Sequence, residues 1–326
     1  MSRRIRPDAP RLKDRWVGWS WLLKESLLPT WRSENAPILV GGCGRSGTTL
    51  VQVMLDAHPD LCCVRESSIL QPGKLDTAKL AARIGLPVDR LRALADSSAR
   101  HGEFVERVFE EYCQVVGKPR WVDKSPRNVR RLKTIFKHFP KARFVHLIRD
   151  GRDTACSLRT HPRFRRLEGP DSPLVELDTW KPMEDCARRW VEDVSAGLAW
   201  RGHPGYTELR YEDLATDPEG SLRRIFDFLG VRWAPEVLDY HTKGERSGKD
   251  PGFEKPVFTS SIGRWRKHMS SEDVRTFKRI AGPLLMELGY ADDLDWDSDG
   301  TAVHRPGRRG MFPKETSREA SGASNA

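Results

Sequence analysis

The stretch PILVGGCGRSGTTLVQVMLDAHPD, Pro37–Asp60, decides how the rest of the chain is read. Pro37–Val40 is a short apolar run of strand type, Gly41 and Gly42 follow, and a helix-period segment from Thr48 to Ala57 carries Leu50, Val51, Val53, Met54 and Leu55. The unit is strand, glycine loop, helix. Four residues separate Gly42 from Gly47, and two hydroxyl residues, Thr48 and Thr49, open the helix, a spacing that resembles a P-loop. Successive backbone amides in such a loop, with the positive end of the helix dipole behind them, cradle an anion of the phosphate type. Where nucleoside triphosphatases keep a lysine after the last glycine, this chain has Thr48, and Arg45 lies inside the loop instead. That departure argues against ATP hydrolysis, and no Mg-binding acidic motif stands at a strand end.

Outward from this unit, short apolar runs alternate with helix-period segments and no internal repeat is present, the pattern of an α/β domain with a parallel sheet. A second strand, Trp121–Val122, delivers Asp123, Lys124 and Ser125 before Pro126 opens a helix with Val129, Leu132, Ile135, Phe136 and Phe139 on one face, ended by Pro140. A third, Arg143–Ile148, is continuously apolar except for His146 and ends in Arg149, Asp150, Gly151 and Arg152. A fourth, Tyr206–Tyr211, precedes Pro218 and a helix with Leu222, Ile225, Phe226 and Leu229 inward, and residues 77–116 read as a helical insertion. Ligands of doubly wound sheets lie beyond the carboxyl ends of the strands, which is where Arg45, Lys124 and Arg149 fall.

With 326 residues and 38% hydrophobic content the chain can bury one large core. The domain is expected over 35–292, between a basic and partly disordered segment 1–34 and a disordered tail 293–326. Lys and Arg number 56 against 46 Asp and Glu, a net charge of +10 that favours an anionic partner. Nucleic acid is not expected, because the basic residues are spread along the chain with neither zinc spacing nor an aromatic RNA-binding signature. The six cysteines, Cys43, Cys62, Cys63, Cys113, Cys156 and Cys186, fit neither a zinc site nor a small disulfide scaffold and suggest a reduced compartment. Trp16–Leu23 is too short and too interrupted for a bilayer span or a signal core, so the expected location is cytoplasmic. The Trp-rich segment 16–31 suits core packing, an oligomer contact or a peripheral lipid contact.

The P-loop stretch followed by Glu66, together with FVHLIRDGRDTACSL, resembles the superfamily of sulfotransferases that use 3'-phosphoadenosine 5'-phosphosulfate (PAPS), and its tyrosylprotein branch in particular. The resemblance runs roughly from Pro37 to Tyr290 and implies a P-loop-like three-layer fold with a central parallel sheet flanked by helices. By that resemblance Arg45, Ser46, Gly47, Thr48 and Thr49 hold the 5'-phosphosulfate, and Arg149 with Ser157 holds the 3'-phosphate. A guanidinium fork completed by a hydroxyl suits a phosphate. Glu66 is implied as the base that takes the acceptor proton, for which a pKa raised towards neutrality is expected. Lys124, in WVDKSP, is implied to face the sulfuryl group and its bridging oxygen, where charge grows as the S–O bond breaks. Ser247, in GERSGKD, is implied to assist. Arg264, in SIGRWRKHM, and Tyr211 are implied near the nucleotide.

The chain departs from the branch at His161, where an arginine is expected; Arg159 and Arg163 flank it as substitutes. The sequence shows no membrane anchor or secretory signal, which does not suit a Golgi tyrosine-sulfating role. Sulfuryl transfer to a hydroxyl or amine, with adenosine 3',5'-bisphosphate (PAP) as product and without a metal, is the leading expectation. A P-loop kinase and a non-catalytic polyanion-binding protein are the alternatives, the first disfavoured by Thr48 and the second by the pairing of Glu66 and Lys124 with two phosphate motifs.

Overall fold

The computed structural model describes residues 12–27, 30–71, 75–160, 163–166, 174–177, 181–242, 257 and 259–296. In chain order its elements are α1 (Leu12–Leu27), β1 (Ile38–Gly42), α2 (Thr48–Asp56), β2 (Leu61–Arg65), α3 (Thr77–Ile84), α4 (Val88–Ser97), α5 (His101–Val116), β3 (Arg120–Lys124) and α6 (Leu132–His138). There follow β4 (Arg143–Ile148), α7 (Gly151–Arg159), β5 (Arg163–Arg166), β6 (Leu174–Leu177), α8 (Met183–Leu198), β7 (Tyr206–Arg210), α9 (Tyr211–Thr216), α10 (Pro218–Leu229), α11 (Trp265–His268) and α12 (Ser271–Glu287). β2, β3, β1, β4 and β7 form, in that spatial order, one parallel five-stranded sheet. β5 and β6 pair separately and antiparallel.

Parallel pairing needs both faces covered, and the sequence supplies alternating apolar residues for two cores. Leu39, Cys62, Val64 and Phe144 pack on one face with the helices of the 77–116 insertion. Ile38, Val40, Leu61, Cys63, Val122, Val145 and Leu147 pack on the other with α2 and α10. A third cluster joins α7, α8 and α12 around Trp190 and Phe277. β2 is absent from the pattern read above. Its LCCV run is short, and the cysteines behave there as small hydrophobes, all six being buried thiols.

Three boundaries differ from expectation. The segment after Pro126 begins as a 3-10 turn, Pro126–Arg131, before α6 continues it. Within 1–34, α1 begins at Leu12, inside the stretch expected to be unstructured, and buries Trp21 against Phe104 with its indole N–H on the Ser98 carbonyl (3.0 Å). The tail expected from 293 still contributes buried Trp296, which faces Trp265 edge-on and lies 4.7 Å from the Arg152 guanidinium. Among the described residues no helix is long and apolar enough to cross a membrane.

His146, the one polar residue of β4 after Arg143, is fully buried, 2.6 Å from the Tyr206 hydroxyl, and its Nε2 has no partner among the described residues. Gly197 lets α8 approach it, since a Cβ there would lie 2.3 Å from the imidazole. Burial pulls its pKa down from 6.5 to about 4, with Glu208 opposing. Below pH 6.5 the unfolded chain therefore takes a proton that the folded chain refuses until about pH 4, and this residue's contribution to stability falls as pH falls across that window, by about 3 kcal/mol in full. Buried Glu212 and Asp153, raised to about 7 and about 6, slope the opposite way, so the comparison must be with a variant. Urea unfolding at pH 7 and pH 4.5 should show wild type losing stability relative to His146→Gln as pH drops. A constant gap between the two proteins would contradict this account.

Candidate active site

β1 ends in the glycine loop, whose Gly42 and Gly47 have φ of 148° and 93°. A Cβ on Gly47 would lie 2.6 Å from the Tyr211 ring, so both its backbone angle and the closeness of that ring require glycine. The first amides of α2 have no partners within the helix and point into the loop. Ser46 Oγ is buried there without a hydrogen-bond partner, an orphaned donor of the kind an anion would satisfy. Among the described residues the non-glycine residues with positive φ are Arg45 (75°), Glu66 (52°) and Ser68 (56°), all at this end of the sheet. Such angles cost energy and persist where the surroundings impose them.

Two constellations form around the loop. In the first, β3 carries Lys124, fully buried, to its C-terminal end, with Nζ 3.1 Å from Glu66 Oε1 and 3.3 Å from Thr49 Oγ1. The Glu66 amide donates to the Lys124 carbonyl (2.6 Å), so the ends of adjacent strands β2 and β3 fix the pair, while the Glu66 side chain remains 49% exposed. Lys124 does not pair with its sequence neighbour Asp123. Buried Asp123 instead accepts from Ser67 Oγ (2.6 Å) and Asn128 Nδ2 (2.8 Å), and the net effect of burial is to raise its pKa.

The pKa expected for Glu66 is corrected by this geometry. Partial burial pushes the carboxyl up, but the Lys124 ammonium and its hydrogen bond, with Arg65 and Arg83, outweigh it and hold the group below its ordinary value. Burial likewise pulls Lys124 down, Glu66 opposing. Arg83, on α3, also donates to the Glu66 carbonyl oxygen.

In the second constellation, Arg45 Nε donates to Ser157 Oγ (3.1 Å) on α7, and Arg149 Nη1 donates to the Arg45 carbonyl (3.2 Å). The Arg149 guanidinium lies 4.5 Å from the centre of the Tyr211 ring, donates from Nη2 to the Ser261 carbonyl (2.6 Å), and has a buried Nε without a partner. The Tyr211 hydroxyl meets Ser261 Oγ at 2.5 Å. Arg264 caps α11 three residues after Ser261, where Asp153 of α7 accepts from the amides of Gly263 (2.7 Å) and Trp265 (2.9 Å).

Motifs far apart in sequence thus meet at one end of the sheet, with Glu66, Lys124 and Thr49 on one side of the loop and Arg45, Arg149, Ser157 and Tyr211 on the other. Ser247 and His161 lie outside the described residues, and of Arg163 only the backbone is described. Arg159 does not stand in at the site. It forks onto Asp273 of α12 at 2.7 and 2.6 Å, a bidentate pair that fastens α12 to α7. Sequence reading missed Ser261, Asp153 and Arg83. Only the second carboxylate of RDGRD gave a signal, an acid in the first turn of a helix beside an arginine.

The chain matches the model of the sulfotransferase family over residues 37–235. Curated relatives include protein-tyrosine sulfotransferase 2 of Gallus gallus, 28% identical over 276 residues covering 79% of this chain and 70% of that protein. The protein-tyrosine sulfotransferase of Drosophila melanogaster is 28% identical over 281 residues, 80% of this chain and 53% of that one. Among solved structures, the sulfotransferase domain of the Synechococcus PCC 7002 olefin synthase is similar in fold at a TM-score of 0.57 and 21% identity, covering 78% of this chain and 97% of that chain. The sulfotransferase domain from the curacin biosynthetic pathway gives 0.52 at 19% identity, covering 78% and 98%. The chain belongs to the sulfotransferase family and is by class a PAPS-dependent sulfotransferase.

Because Lys124 supplies the main attraction that holds the Glu66 carboxyl low, Lys124→Met, which keeps an unbranched chain in the buried slot, should let that carboxyl titrate at a higher pH than in wild type. Carbon-13 NMR of the glutamate carboxyls would read the shift. An unchanged Glu66 titration would show that the ion pair is not what sets it.

Proposed function

We propose that this protein transfers the sulfuryl group of PAPS to an acceptor hydroxyl or amine, with Glu66 as general base and Lys124 as the charge that stabilises the departing oxygen. The observation that carries the reading is the placement of Lys124 within hydrogen-bond reach of both Glu66 and Thr49 at the mouth of an anion-binding loop. Binding alone has no use for a carboxylate beside an anion.

Ser46, Gly47, Thr48 and Thr49 would receive the 5'-phosphosulfate on backbone amides and hydroxyls, and the orphaned Ser46 Oγ suits such a ligand. Arg149 and Ser157, with Arg264 adjoining, would receive the 3'-phosphate, for which the buried Arg149 Nε has no partner among the described residues. Arg45, implied by the resemblance as a 5'-phosphosulfate ligand, is drawn to this side by its bond to Ser157 and would stand between the two groups. PAPS supplies the electrophilic sulfur. Lys124 turns from Glu66 towards the sulfuryl and bridging oxygens, where its desolvated ammonium acts at close range and without reorganising solvent. Released from that ion pair, the Glu66 carboxylate regains basicity in the complex in which a base is needed. The base thus becomes competent only when the donor occupies Lys124. Ser247, as the family resemblance implies, would assist at the same oxygen. Lys124 and the loop amides supply the positive charge, so turnover is proposed to need no metal.

For the acceptor, the first class to test is a phenolic hydroxyl, as in a tyrosine-containing peptide. Even released by Lys124, a half-exposed carboxylate with Arg65 and Arg83 still beside it is a weak base, and among hydroxyls a phenol, with a pKa of about 10, asks least of it. The relatives named as protein-tyrosine sulfotransferases point to the same acceptor.

Titration calorimetry of PAP into the chelator-treated protein should give binding that Arg45→Ala and Arg149→Ala each weaken by about tenfold or more. Glu66→Ala should keep PAP binding and lose about 100-fold or more of the turnover of PAPS with a tyrosine peptide. Failure of the folded wild type to bind PAP would overturn the donor assignment, and a Glu66→Ala enzyme with wild-type turnover would overturn the base. ATP binding that requires Mg would favour the kinase reading instead.

A further inference from the structure

We infer that Asp153, the second aspartate of RDGRD, is a positioning residue for the donor, latching the 261–265 segment across Arg149 and so shaping the 3'-phosphate pocket. The inference rests on the donor site proposed above and assigns a role to a residue that reaching the ligand would not require.

Asp153 lies in the first turn of α7 and is fully buried. A buried carboxylate there needs partners, and it finds them outside its own helix. Oδ2 accepts the Gly263 amide and Oδ1 the Trp265 amide, so both oxygens grip a single chain reversal more than a hundred residues away in sequence. Gly263 has φ of 72°, a turn conformation that points the two amides to the same side. Two residues upstream the same segment presents Ser261, whose carbonyl takes Arg149 Nη2 and whose hydroxyl meets Tyr211. The carboxylate therefore fixes where the Ser261 carbonyl stands, and through it the rotamer of Arg149.

A second clamp supports the far side of the turn. Trp265 is buried and lies 4.3 Å from the Arg152 guanidinium, which Asp150 holds in a salt bridge of 2.7 Å. Arg152 can retain Trp265 as a packed ring without fixing the amides of residues 263 and 265. Among the described residues only Asp153 accepts from those amides, so its removal should loosen the turn at Ser261 while the indole stays anchored. Hydrogen bonds to an ionised acceptor are among the stronger ones, and two are lost together.

The test follows amide hydrogen exchange and ligand binding on the full chain. In Asp153→Ala the amides of Gly263 and Trp265 should exchange markedly faster than in wild type. PAP affinity should fall about tenfold or more, and KM for PAPS should rise by a similar factor while kcat stays within about threefold. Asp153→Asn keeps one acceptor oxygen but turns an N–H towards the other amide, and should fall between the two. It also serves where the alanine variant does not fold. A general structural defect would lower kcat and the melting temperature without this split. The latch is refuted if the two amides stay protected in both variants, or if they deprotect and PAP affinity remains within about twofold of wild type. Failure of wild type to bind PAP would remove the donor site and the role given to the latch, whereas the exchange measurement alone would still tell whether Asp153 holds the segment.

Discussion

The buried ammonium of Lys124 is the constraint around which the site is organised. A lysine with no exposed surface is costly to desolvate and persists only where charge and hydrogen bonds meet it. Here the answer comes from two elements at once, the carboxylate of Glu66 after β2 and the hydroxyl of Thr49 on α2. The backbone bond from Glu66 to the Lys124 carbonyl carries β2 one residue past its last ladder position and forces Glu66 into a left-handed angle. Strain, ion pair and strand register are one arrangement. It leaves a positive group buried at the mouth of a loop built to take an anion, with a carboxylate that the arrival of that anion would free.

The other half of the site is organised by cations that are held, not free. Arg149 is stacked against Tyr211 and tied to two carbonyls, Arg45 is tied to Ser157, and Arg152 is packed between Trp265 and Trp296. Arginine suits this use because its planar fork can stack and donate in several directions at once. Around these side chains buried carboxylates hold the backbone: Asp150 pairs with Arg152, Asp153 takes two amides, and Glu212 takes the Asp150 amide at 2.9 Å. In the segment after Ser261 the side chains of Ile262, Trp265 and Met269 pack on the cores, while these polar ties hold its backbone.

Much of the fold could be read from local pattern. The apolar runs of β1, β3, β4 and β7 and the amphipathic helices following them carry their periods in the sequence, because both faces of a parallel sheet must be covered. β2 escaped because its LCCV run is no longer than many loop segments, and α1 because the basic residues before it look like a solvated tail while the contact that holds Trp21 comes from α5. Trp296 was assigned to the tail for a similar reason: nothing near it in sequence shows that Arg152 and Trp265 await it.

The sequence by itself determined the P-loop-like form of the loop, since glycine spacing and helix-opening hydroxyls act through neighbouring backbone amides. It also determined the parallel order of strand and helix, and the candidate groups Glu66, Lys124, Arg45, Arg149 and Ser157 at the strand and helix ends. Only the tertiary structure decided which of these groups face one another. It paired Lys124 with Glu66 and not with its neighbour Asp123, sent Arg159 to Asp273, and brought Ser261 and Asp153 to Arg149. A charge in a buried site is governed by what lies within a few ångströms of it, and for these side chains those neighbours come from strands and helices that only the packed sheet brings together.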